Sequence, residues 1–374
     1  MDPERAMRLA LTQARRASGR SFPNPAVGAV VFRGEQILGR GFTRPPGGPH
    51  AEVVALDRAR QRHGVAALRG ASLAVTLEPC SFTGRTPPCT DEILRVGIRR
   101  VLVGLRDPHP RVRGRGLARL RRRGVAIELG ILGAACREQH RGFLSVCARG
   151  RPFLSLKLAA TLDGRIATRR GESRWISSPR ARQWVQGLRE RHDAVLVGSE
   201  TVRADDPELV ARRGGRIVHR PVRVVVDSKL RTPPSSRLVR EAASSPVWIL
   251  GARDAAASRR AALERRGVRV LAVSRRGPTL QLRRALERLA QEGITTLLCE
   301  GGGRLAAALL RGGLVDELHW VVAPRLLGAD AKPGLGPLEI RRLADAVSLE
   351  GLKVRRLGPD LHLCARPAGG GGGG

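Results

Sequence analysis

The sequence predicts two α/β domains in succession, and three observations carry that prediction. The chain has 374 residues, room for two domains of ordinary size or at most three. Its hydrophobic fraction of 42% can build real cores and excludes a disordered basic chain for most of the length. Strand and helix signals alternate through the first 147 residues, pause, and then begin again.

Helical periodicity covers residues 3–18. Segments 26–32 and 36–42 read as a strand pair joined by the turn Arg33-Gly34-Glu35. A helix starts near His50, a strand covers 71–77, and a helix follows at 88–96. Strand 99–104, helix 114–123, strand 125–129 and helix 132–146 complete a first domain, residues 1–147. Ala148-Arg149-Gly150-Arg151-Pro152 then reads as a linker, residues 148–152. The second domain, residues 153–368, opens on a strand at 153–158. Its later strands are expected at 194–198, 222–227, 246–250, 268–273, 294–299 and 317–323. Its helices are expected at 179–191, 255–266, 279–291 and 303–312. The glycine run 369–374 is a low-complexity tail, expected to be disordered. No internal repeat is present.

The net charge of +35 makes nucleic acid the first partner to weigh. The composition favours a plainer cause. Only Lys157, Lys229, Lys332 and Lys353 are lysines among 68 basic residues, Tyr is absent, and Asn24 is the single Asn. That profile reads as a nucleotide bias acting on permissive positions, with Arg spread over both halves. A solvated basic surface still steers anionic substrates. Where a scarce type survives, as at Asn24 and Lys157, substitution was costly. No apolar run reaches the ~18 residues of a membrane span. Residues 1–20 lack the apolar centre of a secretory signal, so a cytoplasmic protein is expected. Six cysteines in this length do not make a disulfide framework.

His50-Ala51-Glu52 opens a predicted helix, and Pro79-Cys80 and Pro88-Cys89 follow. One His and two Cys are a natural zinc set with the fourth position free for water. Zn²⁺ lowers the pKa of such a water to about 7. Glu52 can move that water's proton to a leaving amine without binding the metal. This is the H-x-E…P-C…C arrangement of zinc deaminases. Eight residues, rather than two, separate the cysteines, so the insert must loop out and return at Cys89. Cys136, Cys147, Cys299 and Cys364 have no partner at ligand spacing and are expected as small core residues.

The blocks Pro23-Asn24-Pro25-x-Val27-Gly28, His50-Ala51-Glu52, Thr76-Leu77-Glu78-Pro79-Cys80-Ser81 and Gly84-Arg85-Thr86-Pro87-Pro88-Cys89 together resemble one family. It is the deaminase half of the bifunctional riboflavin-biosynthesis deaminase/reductases. The resemblance implies a cytidine-deaminase-like α/β/α fold holding one Zn²⁺ per chain. It implies hydrolytic loss of the 2-amino group from a diamino-pyrimidinone bearing a ribosylamino 5′-phosphate. Asn24 would hydrogen-bond the pyrimidine or its ribose, since an amide offers donors and an acceptor. Arg85 would bind the 5′-phosphate. Phe82 and Thr43 stand at or near positions where many members have His.

The second half carries its own blocks: Leu156-Lys157-Leu158-Ala159, Leu162-Asp163-Gly164-Arg165, Ser173-Arg174-Trp175, Gly198-Ser199-Glu200-Thr201, Ala204-Asp205-Asp206-Pro207, Val226-Asp227-Ser228 and Glu300-Gly301-Gly302-Gly303. In this order they resemble the reductase half of the same family, with a dihydrofolate-reductase-like fold. The glycine loop between a strand and a helix offers backbone N–H groups to dinucleotide phosphates. It is not a G-x-G-x-x-G fingerprint. The resemblance implies NADPH contacts at Ala159, Trp175, Thr201, Asp205 and Ser228, and along Gly302, Gly303, Arg304, Leu305, Ala306, Ala307 and Ala308. It implies substrate contacts at Ser173, Arg189, Leu209, Arg212 and Glu300. Lys157, on the opening strand, reads as a substrate-binding or protonating group whose compact ammonium a guanidinium cannot replace. The implied reaction is hydride transfer from NADPH to C1′ of the ribosyl group, giving a ribityl chain. The family also implies a homo-oligomer.

A nucleic-acid deaminase with an appended binding domain is the competing reading, because it explains the charge directly. Aromatics make up only 3% of the chain, whereas single-strand RNA readers stack bases on them. The insert and the second-half blocks have no place in it either. A non-enzymatic RNA-binding protein leaves Glu52 and the three ligands without purpose. The expected partner is therefore a small phosphorylated pyrimidine, with no membrane and no specific nucleic acid.

Overall fold

The computed structural model describes residues 1–84 and 87–368. Arg85 and the tail at 369–374 lie outside the described residues. The chain forms two compact units that divide between Gly150 and Arg151.

The first unit opens on α1 (Pro3–Ala17). Asp2 caps it by accepting the Arg5 N–H at 2.8 Å, and Ala6, Met7, Ala10, Leu11 and Ala14 form its buried stripe. The hairpin β1 (Gly28–Arg33) and β2 (Gln36–Phe42) follows, then α2 (Ala51–His63) and β3 (Ser72–Val75). Next come α3 (Cys89–Arg95), β4 (Arg100–Val103), α4 (Arg115–Arg122) and β5 (Ala126–Leu129). The sheet order is β2-β1-β3-β4-β5. β1 runs antiparallel to both neighbours, and β3, β4 and β5 are parallel.

Alternation along the strands builds the two faces. Ala29, Val31, Leu73 and Val75 pack with Ala55 and Leu56 of α2 and Ile93 of α3. Val30, Phe32, Ala74 and Leu102 pack with α1 on the other side. This is the expected α/β/α layering. Gly39 and Gly41 let α2 approach β2 closely: a Cβ on either would lie 2.1 Å from a backbone oxygen of Ala55 or Ala51. That approach sets where the start of α2 sits.

The helix expected at 132–146 is two helices, α5 (Gly133–Gln139) and α6 (Arg141–Arg149). The break falls at His140, which is buried with its Nε2 3.0 Å from Thr76 Oγ1. The segment expected as a linker, 148–152, has local structure of its own. Its first two residues finish α6, Gly150 caps the helix in the left-handed region, and Arg151 is buried against Asp316 at 2.7 and 2.8 Å.

The second unit begins with β6 (Phe153–Thr161), β7 (Arg165–Ala167), α7 (Pro179–Arg191), β8 (Ala194–Gly198) and α8 (Ser199–Asp205). It continues with β9 (Ala211–Arg213), β10 (Arg216–His219), β11 (Val222–Val226), α9 (Arg237–Arg240), β12 (Val247–Ala252), α10 (Ala257–Glu264) and β13 (Arg269–Val273). The small hairpin β14 (Arg275–Arg276) and β15 (Thr279–Leu280) leads to α11 (Leu282–Gln291), β16 (Thr296–Cys299), α12 (Gly303–Arg311) and β17 (Glu317–Ala323). β18 (Lys332–Pro333), β19 (Leu349–Leu357) and β20 (Asp360–Pro367) end it. The main sheet has the order β13-β12-β11-β8-β16-β6-β17-β20-β19. It is parallel from β13 to β17 and closes with an antiparallel hairpin.

Three strands, the two-residue β18 and the longer β19 and β20, lie beyond the last one the periodicity predicts. Every residue of β19 except Leu357 is exposed, so no apolar alternation marks it. No helix among the described residues is long and apolar enough to cross a membrane.

Candidate active sites

In the first unit His50 ends the loop before α2, Cys80 follows β3, and Cys89 opens α3. Their ligand atoms all lie within 4.8 Å of one another. His50 Nδ1 is 3.1 Å from Cys89 Sγ and 3.6 Å from Cys80 Sγ, and the Cys89 N–H donates to Cys80 Sγ at 3.3 Å. The hydrogen bond from the Cys89 thiol, helped by His50, holds the Cys80 thiol well below the usual range. Glu52, in the first turn of α2, is 3% exposed, and burial raises its carboxyl to about 7.

Glu78, within the Thr76–Ser81 block, has a role that no local sequence pattern predicts. Its buried carboxylate accepts backbone N–H groups from Asp107 (3.2 Å), Gly114 (3.0 Å), Gly116 (3.0 Å) and Leu117 (3.3 Å). It thereby ties the chain around Cys80 to the start of α4. Gly116 fits because a Cβ there would lie 2.1 Å from the Pro79 carbonyl oxygen. The signal was present in Gly114-Arg115-Gly116, but nothing local connects it to residue 78.

Asn24 lies in the turn before β1, where its N–H donates to the Ser21 carbonyl at 2.9 Å and its side chain is half-buried. Thr43 is buried and accepts the Val27 N–H at 3.1 Å, which leaves it a structural hydroxyl. Phe82 lies under the Arg111 guanidinium at 5.9 Å. Cys136 and Cys299 are core residues as expected, but Cys147 is exposed and Cys364 half-buried. α6 is amphipathic and turns Cys147 outward; Cys364 sits near the open edge of the sheet.

The second unit holds a cavity of about 1960 Å³ along the carboxyl ends of its parallel strands. β6 contributes Lys157 and Ala159, and the segment after β7 contributes Ser173 and Trp175. Arg189 comes from α7, Thr201 and Asp205 from α8, Leu209 from the turn after it, and Ser228 from the end of β11. Glu300, Gly302, Gly303, Arg304, Leu305 and Ala308 complete the expected residues on its wall. Trp175 is 60% exposed, with Arg182 4.4 Å over its ring, so it is a wall residue and not a core aromatic.

Three expected residues do not line this cavity. Ala306 and Ala307 are buried beneath α12, because the helical period turns Leu305 and Ala308 outward and the residues between them toward the core. The Arg212 guanidinium grips Glu208 at 2.6 and 3.0 Å and the Gly215 carbonyl at 2.6 Å.

Arg189 and Glu300 form a fork at 2.6 and 2.9 Å, and Arg189 also donates to the Val210 carbonyl at 3.0 Å. Burial works against the Glu300 carboxylate, but Arg189 and Lys157 hold it below the usual range. Burial lowers the Lys157 ammonium, and Glu300 opposes that shift. Thr201 Oγ1 accepts the Gly302 N–H at 3.3 Å, joining α8 to the start of α12.

Glu317, His319 and Cys364 also bring donor atoms within 4.8 Å. Arg355 Nε–H donates to His362 Nδ1 at 3.0 Å, so His362 must carry its proton on Nε2. That proton faces His319 Nδ1 at 3.1 Å, which leaves the His319 proton on Nε2, 2.8 Å from Glu317. His319 Nε2 is close to the Glu317 carboxylate but makes no hydrogen bond to it, and the cluster is given no functional role.

Residues 1–105 match the cytidine and deoxycytidylate deaminase zinc-binding region, and residues 152–363 match the RibD C-terminal domain. The chain is 40% identical over 377 residues to the riboflavin biosynthesis protein RibD of Escherichia coli, covering 97% of this chain and 99% of that one. It superposes on Acinetobacter baumannii RibD with a TM-score of 0.86 at 34% identity, covering 98% and 99% of the two chains. It superposes equally on a Thermotoga maritima diaminohydroxyphosphoribosylaminopyrimidine deaminase/5-amino-6-(5-phosphoribosylamino)uracil reductase, with a TM-score of 0.85 at 32% identity and the same coverage. With a zinc-deaminase unit and a reductase unit in one polypeptide, the chain belongs to the RibD family of bifunctional riboflavin-biosynthesis deaminase/reductases.

Proposed function

We propose that the first unit hydrolyses the 2-amino group from 2,5-diamino-6-(5-phosphoribosylamino)pyrimidin-4-one. The second unit then reduces the ribosyl group of that product to ribityl. The observation that carries this reading is the convergence of His50, Cys80 and Cys89 beside buried Glu52. The activities in the name of the Thermotoga maritima relative support the substrate class.

The nitrogen and two sulfurs fit Zn²⁺ by donor type and by their mutual spacing. When bound there, Zn²⁺ supplies Lewis-acid activation of water near neutral pH. Glu52 moves a proton from the incoming water to the departing amine, and its burial keeps bulk water from competing for that proton. Asn24 hydrogen-bonds the pyrimidine or its ribose.

In the second unit NADPH, when bound, supplies the hydride. Arg189 and Glu300 hold each other rigidly and orient the sugar phosphate substrate. Lys157 places one compact positive charge beside Glu300, where it binds the substrate or gives it a proton. The first-turn N–H groups of α12 face the dinucleotide phosphates.

The chain works in the cytoplasm as a homo-oligomer in this reading. β19 supports the second point: it is the end strand of the sheet, and Leu349, Leu352 and Val354 are 46%, 58% and 57% exposed. Light scattering on the purified chain reads the assembly state. The test of function supplies the diamino-pyrimidinone ribosyl phosphate with and without NADPH. Ammonia release in both cases, with NADPH oxidation in the second, is expected; no ammonia release overturns the reading.

A further inference from the structure

β2 is the end strand of the first unit's sheet, so one of its edges is open. Arginines from three elements gather there. Arg40 lies on β2, and Arg44 stands two residues beyond Phe42, where the strand ends. Arg16 comes from the last turn of α1, and Arg58 and Arg62 are neighbours one turn apart on α2. The Arg16 and Arg44 guanidiniums sit 5.2 and 4.5 Å from the centre of the Phe42 ring. An Arg58 Nη1 N–H donates to the Arg40 carbonyl at 2.9 Å. α1 packs on one face of the sheet and α2 on the other, so the group wraps the edge strand from face to face as an extended track.

Guarding an open edge against strand pairing explains a charge on β2 itself, at Arg40, but not the guanidiniums that α1 and α2 add to it. Neighbouring arginines do find carboxylates: Arg5 takes Glu35 at 2.8 Å, Arg8 takes Glu4 at 3.0 Å, and Arg60 takes Asp57. Among the described residues, Arg16, Arg40, Arg44, Arg58 and Arg62 have no ion-pair partner. Partial burial, and then the charges of Arg44, Arg16 and Arg62, hold the Arg58 guanidinium below its ordinary value. Like charges are thus crowded together without a carboxylate to offset them. An anion from outside supplies that offset, and each guanidinium fork matches a phosphate with two N–H groups. The spread over α1, β2 and α2 suits a chain of phosphates better than a single one. Phe42 is half-buried and engaged by two guanidiniums, so it anchors the arginines rather than stacking a base.

We propose that Arg16, Arg40, Arg44, Arg58 and Arg62 form a docking track for the phosphate backbone of single-stranded RNA, whose flexible chain can follow the bend round β2. The contacts are to phosphates, so the RNA sequence is not read. The scarcity of aromatic residues in the chain does not oppose binding of this kind.

Fluorescence anisotropy of end-labelled oligouridine and oligoadenosine, titrated with the full chain across salt, tests the track. One variant combines Arg16→Gln, Arg44→Gln, Arg58→Gln and Arg62→Gln. The control combines Arg253→Gln, Arg260→Gln, Arg265→Gln and Arg266→Gln, which removes the same charge from arginines of the second unit that also lack an ion-pair partner among the described residues. Each phosphate contact steepens the fall of log K with log salt by about 0.7, so four lost contacts flatten it by about 2.8. A rise from about 50 to about 200 mM salt should therefore cost the parent about fiftyfold more affinity than the track variant. The control should keep the parent's slope, as should a variant with Lys at the same four track positions, which keeps the charges. The two oligonucleotides should bind within about threefold of each other. Equal flattening in the track variant and the control overturns the proposal, because net charge alone would then account for binding. A parent that does not bind RNA, or a slope lost in the lysine variant too, also overturns it. Displacement of the RNA by polyglutamate or by phosphatidylglycerol vesicles at equal charge would assign the track to an acidic protein or a membrane instead.

Discussion

Glu78→Gln should destabilise the first unit by about 2–6 kcal/mol. The carboxylate accepts four backbone N–H groups at 3.0–3.3 Å, two on each oxygen. A glutamine keeps one acceptor oxygen and turns an NH₂ group toward the other two donors. Each buried donor left unsatisfied costs about 1–3 kcal/mol. Relaxation is limited, because Gly116 already sits against Pro79 with no room for even a Cβ. The assay exploits an asymmetry: Trp175, Trp184, Trp248 and Trp320 all lie in the second unit. Intrinsic fluorescence then follows that unit alone, while far-UV circular dichroism follows both. With a urea slope of about 2 kcal/mol/M, the transition seen only by dichroism should fall by about 1–3 M. The fluorescence transition should stay in place. A variant whose dichroism transition matches the parent's would refute the hydrogen-bond reasoning.

Three further outcomes follow from the same geometry. Glu52→Ala should retain zinc by elemental analysis, lose deamination, and still oxidise NADPH when given the deaminated substrate; Cys89→Ala should lose the metal as well. Lys157→Arg should lower steady-state NADPH oxidation by at least ~10-fold, about 1.4 kcal/mol, because the bulkier fork must fit beside Glu300 and Arg189. Lys229→Arg, on the exposed turn after β11, should be nearly silent, and equal activity in the two would remove the scarcity argument for Lys157. Burial lowers His140 from 6.5 to about 4, so the unfolded chain binds the extra proton first. First-unit stability should therefore be full above pH 6.5 and fall as the pH drops toward 4, by about 3 kcal/mol in all. Acid unfolding followed by dichroism should show a shallower fall in His140→Gln.

The sequence by itself carried the alternation of elements, the succession of two units and the candidate ligands of the first site. These are short-range signals. Apolar periodicity is written in each segment, and His50 and Glu52 sit two residues apart on one helix start. The cysteines declared themselves by type and by the prolines before them, and the second-half blocks by their order. The structure alone decided which side chains meet. Ala306 and Ala307 share a helix with Leu305 and Ala308, yet only the packing of α12 on the sheet decides which pair faces the cavity. Arg212 was claimed by Glu208. Glu78 reaches N–H groups 29 to 39 residues away, and His140 breaks its helix near Thr76, 64 residues earlier. β19 carries no apolar alternation at all and exists as a strand because β20 pairs with it. Periodicity and spacing are properties of neighbours along the chain. Orientation and pairing depend on partners that the sheet order brings together from far apart, and no local pattern encodes them.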